Sequence, residues 1–133
     1  MATVELTGEN FQDKISAPGI TLVDFWAEWC GPCRQFGPVF EKASEKHGDL
    51  TFGKVDTQEQ QELATALNIS AIPMLMIARD GVVVYAEPGA LPAAALEDLI
   101  EQARGLDMDK VREQIAEATQ ASGAQDGAET AAK

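Results

Sequence analysis

The sequence predicts an α/β domain of three layers, in which a central mixed β-sheet is flanked by helices. Segments with the pattern of buried strands alternate along the chain with segments of helical periodicity, which is typical of this class. The last two strand patterns are separated only by the turn signal Arg79–Gly81. We therefore expect this last pair to be antiparallel and the sheet to be mixed.

The individual elements follow from the apolar pattern. A short helical segment near Gly8–Ile15 precedes Thr21–Ala27, which is apolar on both alternating faces, as expected of a central strand covered on both sides. Further strands are predicted at Leu50–Asp56, Met74–Ala78 and Val82–Ala86, and longer helices at Cys30–Lys46, Gln58–Leu67 and Pro92–Arg104. The chain has no internal repeat, and 133 residues suffice to bury a core without staples.

A change of composition after Gly105 sets the predicted domain organisation. Residues 1–105 form the α/β domain. Residues 106–120 carry apolar side chains at helical spacing and predict an additional C-terminal helix. Residues 121–133 lack large apolar side chains, which favours a flexible tail.

Composition and charge exclude several classes of function. A formal net charge of −12 argues against binding to nucleic acid or to an anionic membrane surface. No apolar run approaches the roughly 18 residues of a membrane span. The amino terminus shows neither the basic nor the apolar region of a signal peptide. We therefore expect a cytoplasmic protein, in whose reducing surroundings a permanent disulfide is rare.

The two cysteines of the chain, Cys30 and Cys33, are separated only by Gly31 and Pro32, and three uses of such a pair can be compared. A structural zinc ion needs four Cys or His ligands, and the chain adds only His47, so a zinc site would have to be shared between two chains. A disulfide that closes so short a loop stabilises a fold little. A reactive redox pair fits best, because the unpaired N–H groups at a helix N-terminus favour a thiolate.

The segment VDFWAEWCGPCRQFGPVF, which begins at Val23, resembles the active-site segment of the thioredoxin family. The resemblance covers about residues 4–104 and includes Lys54 on the next strand, Ala71–Pro73 before the third, and Pro88–Leu91 before the last helix of the domain. It implies the thioredoxin fold and a disulfide reductase of cytoplasmic client proteins. It also implies re-reduction by thioredoxin reductase, with NADPH used indirectly through that enzyme. We expect no bound cofactor, no metal and a monomer.

The resemblance implies roles for four residues. Cys30, nearer the helix start, would be the attacking nucleophile and Cys33 the resolving thiol. Asp24 is the charged residue of an otherwise apolar strand, and a buried carboxylate with a raised pKa could exchange a proton with Cys33. An Asp24 that reaches solvent or caps a helix is the alternative. Lys54 would supply a positive charge that tunes the pKa of Asp24, unless its side chain extends outward to solvent.

Three loops are expected to meet around the nucleophile and to form an uncharged docking patch for clients. The docking patch comprises Trp29, Gly31, Pro32, Ile72, Pro73 and Gly89. In the family the proline at position 73 is cis. Met74 stands where the family usually has Thr, and Arg34 where Lys is commoner. The flexible apolar side chain of Met74 is expected to alter substrate preference.

Two rival functions belong to other classes. A redox-inactive interaction or chaperone module could use the same fold, but the presence of both cysteines together with Asp24 and Lys54 argues against it. A disulfide oxidase or isomerase is the second rival. Such relatives commonly place His between the cysteines, whereas Gly31 and Pro32 favour a reductant.

Overall fold

The structure, a computed structural model, describes residues 2–131 and the side chains of residues 2–119. In chain order the elements are β1 (Thr3–Glu5), α1 (Phe11–Ser16), β2 (Ile20–Trp26), α2 (Gly31–Lys46), β3 (Thr51–Asp56), α3 (Gln61–Ala66), β4 (Met74–Arg79), β5 (Val82–Pro88), α4 (Ala93–Arg104) and α5 (Met108–Ala131).

The strands form a mixed sheet in the order β1-β3-β2-β4-β5, which confirms the predicted fold class. Strands β1 and β2 are both parallel to β3, whereas β4 is antiparallel to β2 and to β5. Strand β2 lies at the centre, and its residues from Ile20 to Phe25 are all buried. Its apolar side chains on both faces are thus explained by helices on both sides of the sheet.

Two apolar clusters, one on each face of the sheet, form the core. On one face Phe36 and Phe40 of α2 pack with Leu96 and Ile100 of α4 against strand residues that include Leu22. On the other face the strands pack against apolar side chains of the first and third helices. These are Phe11, Ile15 and Leu63. Adjacent residues of β2 therefore pack into opposite clusters, because successive side chains of a strand point to opposite faces of the sheet.

The hairpin between β4 and β5 turns at Asp80 and Gly81, which have φ angles of 54° and 83°. Two consecutive residues with positive φ are characteristic of the tight turns whose twist matches that of antiparallel strands. The antiparallel pairing predicted from Arg79–Gly81 is confirmed.

Two features at the sheet edge and at α3 differ from the sequence predictions. Strand β1 was not predicted, because three residues are too few to show an alternating pattern; pairing with β3 produces it. Helix α3 begins at Gln61 instead of Gln58. The Asp56 carboxylate accepts hydrogen bonds from the N–H groups of Gln58 and Glu59, at 2.9 and 3.3 Å, and this local turn competes with the helix.

Helix α5 follows α4 after a short connection. The Asp107 carboxylate accepts hydrogen bonds from the N–H groups of Asp109 and Lys110, so the helix begins at Met108. The helical backbone continues through residues 121–131, where the sequence predicts a flexible tail. The flexibility of this segment stays a prediction. Residues 132 and 133 lie outside the described residues. None of the described helices is long and apolar enough to cross a bilayer.

Candidate redox-active site

Cys30 and Cys33 lie at the start of α2, shortly after the end of β2. Cys30 is the N-cap residue of α2, with an extended backbone (φ −88°, ψ 113°), and Gly31 begins the helix. The N–H of Cys33 donates to the Cys30 sulfur at 3.2 Å. Pro32 fits the first helical turn because its missing N–H would have no partner there. The helix N-terminus predicted at the cysteines is therefore present.

The two cysteines form a disulfide, with Cα atoms 5.2 Å apart. Each residue is only 4% exposed, and together with Ala27 they form a small buried cluster against which Ile72 and Trp26 pack. The Cys30 sulfur lies 3.8 Å from the carbonyl oxygen of Ile72. The loop before β4 thus lies directly beside the first cysteine.

The structure brings the three predicted loops together around the disulfide. The peptide bond between Ile72 and Pro73 is cis, and the Pro73 carbonyl accepts a hydrogen bond from the Gly89 N–H at 2.8 Å. Trp29 is 63% exposed, and the remaining exposed members of the docking patch are Gly31, Pro32 and Gly89. Pro73 itself is buried, so the prediction that it forms part of the exposed contact surface is wrong for its side chain.

Gly89 has a φ angle of +131°, a conformation that favours glycine over any residue with a Cβ. A Cβ built at this position meets no atom within 4 Å. The constraint at Gly89 is therefore one of backbone conformation and not of space.

Asp24 is fully buried in β2, which excludes the alternative of a solvated or helix-capping carboxylate. Neither of its carboxylate oxygens has a hydrogen-bond partner among the described residues. Burial raises the pKa of Asp24 to about 7, while the positive charge of Lys54 lowers the pKa and the negative charge of Glu41 raises it. A carboxyl group of this kind changes its charge near neutral pH.

Lys54 lies opposite Asp24 in the register of β2 and β3, but its ammonium group pairs elsewhere. Lys54 Nζ is 3.7 Å from Glu41 Oε2 and 5.1 Å from the ring centre of Trp26. The Lys54 side chain is 24% exposed, so it does not simply extend into solvent. The positive charge of Lys54 thus lowers the pKa of Asp24 from a longer distance, whereas its ion pair is with Glu41.

Sequence reasoning missed Glu41. A signal was available, since Cys33, Gly37 and Glu41 recur every four residues and therefore share one face of α2. Nothing in the sequence, however, shows that the Lys54 side chain reaches this face.

A pocket of about 450 Å³ opens on the Cys33 side of the disulfide, and we call it the rear pocket. It is lined by Trp26, Ala27, Glu28, Cys33, Arg34, Gly37, Pro38, Glu41 and Lys54. The Arg34 guanidinium donates to the carbonyl oxygen of Glu28 at 3.2 Å. Unlike the docking patch, the rear pocket has charged groups of both signs.

The described part of the chain contains no group of three or more His, Cys, Asp or Glu residues that could hold a metal ion. His47 has other partners. It is hydrogen-bonded to Glu97 at 2.8 Å and to the Arg104 guanidinium at 3.0 Å, which ties the end of α2 to α4.

Comparison with known proteins agrees with this geometry. A family model described as Thioredoxin matches residues 2–102. A protein called putative thioredoxin 2, from Streptomyces coelicolor, is 63% identical over 116 residues, covering 87% of each chain. Thioredoxin from Bacillus subtilis is 40% identical over 103 residues, covering 77% of this chain and 98% of its own.

A solved structure shows the same likeness. A mutant thioredoxin from Halobacterium salinarum aligns with a TM-score of 0.72 at 35% identity, covering 78% of this chain and 92% of its own. The family match spans both cysteines, the buried Asp24 and the cis proline. The chain therefore belongs to the thioredoxin family, and Cys30 and Cys33 form the redox-active pair of a disulfide oxidoreductase.

Proposed function

We propose that this protein reduces disulfides in cytoplasmic client proteins, with Cys30 as the attacking thiolate and Cys33 as the resolving thiol. The observation that carries the assignment is the position of Cys30 as the N-cap of α2. In the reduced protein the Cys33 N–H, which lies 3.2 Å from the Cys30 sulfur in the disulfide, would stabilise a thiolate at Cys30.

The reaction runs in two exchanges. The Cys30 thiolate attacks one sulfur of the client disulfide, so that a Cys30–client disulfide forms and the first client thiolate leaves and takes up a proton. Cys33 then gives its proton to the Asp24 carboxylate, and its thiolate attacks the Cys30 sulfur. The second client thiolate leaves, and the two electrons of the dithiol have passed to the client.

Asp24 is the proposed proton acceptor of the second exchange. A pKa of about 7 leaves the carboxyl group partly ionised at neutral pH, so it can accept a proton and release it again. Burial without hydrogen-bond partners supports this role, because a structural carboxylate would ordinarily be paired.

Clients dock on the exposed, uncharged part of the docking patch. Trp29 offers apolar area, and an extended client segment would pair with the backbone beside Pro73. Contacts of this kind depend little on the client sequence, so they would allow a broad range of clients.

We further infer that thioredoxin reductase returns the disulfide to the dithiol with electrons from NADPH, and that the protein acts as a monomer. The resemblance to thioredoxins over residues 2–102 supports this partner. The net charge of −12 supports a cycle without nucleic acid or an anionic membrane.

Trapping of clients tests the assignment of the two cysteines. The Cys33→Ser variant should accumulate mixed disulfides with clients through Cys30, whereas Cys30→Ser should trap few. Both variants should lose NADPH-dependent reduction of insulin in the presence of thioredoxin reductase. Trapping mainly by Cys30→Ser would reverse the assignment, and insulin reduction undiminished in both variants would show that the protein is not a dithiol reductant.

A further inference from the structure

The rear pocket contains an acidic residue for which the two-exchange reaction gives no role. Glu41 lies on α2 and lines the pocket together with Cys33 and Lys54. Its carboxylate is held from two sides. Lys54 Nζ lies 3.7 Å from Oε2, and the Thr3 hydroxyl lies 3.1 and 3.2 Å from the two carboxylate oxygens.

These contacts place the Lys54 ammonium on the α2 side of the pocket. A Cβ built at Gly37 would lie 4.0 Å from Lys54 Nζ, so the ammonium rests against the helix one turn after Cys33. Asp24, the register partner of Lys54, receives no ion pair from it within 4 Å. The cation that could neutralise the buried carboxylate is instead bound by Glu41.

We propose that Glu41, oriented by Thr3, is a positioning residue that holds the Lys54 ammonium away from Asp24 and so sets the charge state of Asp24 during disulfide exchange. The inference rests on the proposed role of Asp24 as proton acceptor of Cys33. Glu41 acts in two ways, since its own negative charge disfavours ionisation of Asp24 and its ion pair withholds the compensating positive charge.

Other charged groups face this region and must be distinguished from Glu41. Glu28 and Arg34 line the rear pocket, and Glu5 of β1 and Asp56 of β3 lie with Lys54 around a neighbouring pocket. Strand β4 contributes only the apolar residues 74–76 opposite Asp24. Glu41 differs from these groups because it alone among them forms an ion pair with Lys54 within 4 Å in the described structure.

The test is a titration of the Asp24 carboxyl carbon by NMR in the oxidised full-length protein. In Glu41→Gln we expect the midpoint to fall by about half a pH unit, since a partly exposed charge is screened by solvent. The matched control is Glu45→Gln, which removes an exposed charge from the same helix and should leave the midpoint unchanged. Thr3→Val should lower the midpoint by less than Glu41→Gln does. In the double variant the midpoint should equal that of Glu41→Gln alone.

The kinetic readout is the resolving exchange, followed with an aryl disulfide whose thiolate product is coloured. On the acid side of its pH profile the Glu41→Gln rate should be roughly three times that of the unmodified protein, because the ionised fraction of Asp24 is larger. In an Asp24→Asn background the same change should have no effect.

Two results overturn the inference: an Asp24 midpoint unmoved by Glu41→Gln, or an equal movement by Glu45→Gln. A midpoint that moves as expected, with resolving rates unaltered at every pH, would support the action of Glu41 on Asp24. That same result would remove Asp24 from the proposed reaction.

Discussion

The two sides of the disulfide differ in chemistry. The docking patch carries no charged residue, and the largest exposed side chain in it is Trp29. The rear pocket contains Glu28, Arg34, Glu41 and Lys54, with the buried carboxyl group of Asp24 nearby in the sheet. In the proposed reaction this difference separates two tasks. Contact with many clients needs no fixed charge, whereas movement of a proton to and from Cys33 needs a titratable group in a controlled field.

The largest expected effect comes from Asp24→Asn, which tests the buried side. The folded-state pKa of Asp24, about 7, lies above its ordinary value of 3.8. Its contribution to stability is therefore complete below about pH 4 and is lost as the pH rises to about 7, where the buried group must ionise. At pH 8 the oxidised Asp24→Asn variant should be more stable by roughly 2–4 kcal/mol.

Urea unfolding at pH 8 and pH 4 measures this difference, and the gain should nearly vanish at pH 4. Asp13→Asn, which changes an exposed carboxylate of α1, is the control and should shift the free energy of unfolding by less than about 0.5 kcal/mol. An Asp24→Asn midpoint equal to or below that of the unmodified protein at pH 8, at constant slope, would contradict a buried ionised carboxylate. The same variant should also slow the resolving exchange more than the initial attack.

A charge placed in the docking patch should have the next largest effect. Gly89→Asp should raise the apparent KM for several unrelated clients and for the reductase by roughly tenfold, because the charge must be desolvated on docking. Any side chain at φ +131° strains the backbone, so Gly89→Ala is the matched control and carries the strain without the charge.

The comparison for this prediction is between the two Gly89 variants. If they have equal KM values, the charge is irrelevant and Gly89 does not contact clients. If Gly89→Asp changes only the thiol titration and no KM, the docking patch has been misplaced.

The smallest effect concerns independence of the two sides. Trp29→Ala should weaken reaction with clients. Asp24→Asn should nevertheless raise the free energy of unfolding of the Trp29→Ala protein by the same amount as that of the unmodified protein, within about 0.5 kcal/mol at pH 8. Urea unfolding of the four proteins of this double-mutant cycle gives the coupling free energy. A coupling well above that limit would show that the docking side and the buried side act as one unit.

Much of the fold and of the site could be predicted because the signals are local. Apolar alternation in β2 and the Asp-Gly turn after β4 depend on neighbouring residues, and both are present in the structure. The position of Cys30 at a helix start likewise follows from the adjacent Gly and Pro. Strand β1 has no such local signal, since its three residues become a strand only by pairing with β3.

By itself the sequence determined the α/β class, the redox pair and the presence of a carboxylate in an apolar strand. Only the tertiary structure decided which partner Lys54 takes, that Pro73 is covered, and that Thr3 of the unpredicted strand is hydrogen-bonded to Glu41. The physical reason is distance along the chain. Thr3, Glu41 and Lys54 meet through the sheet register and the packing of α2, and a side chain with several possible partners pairs with the one that packing brings within reach.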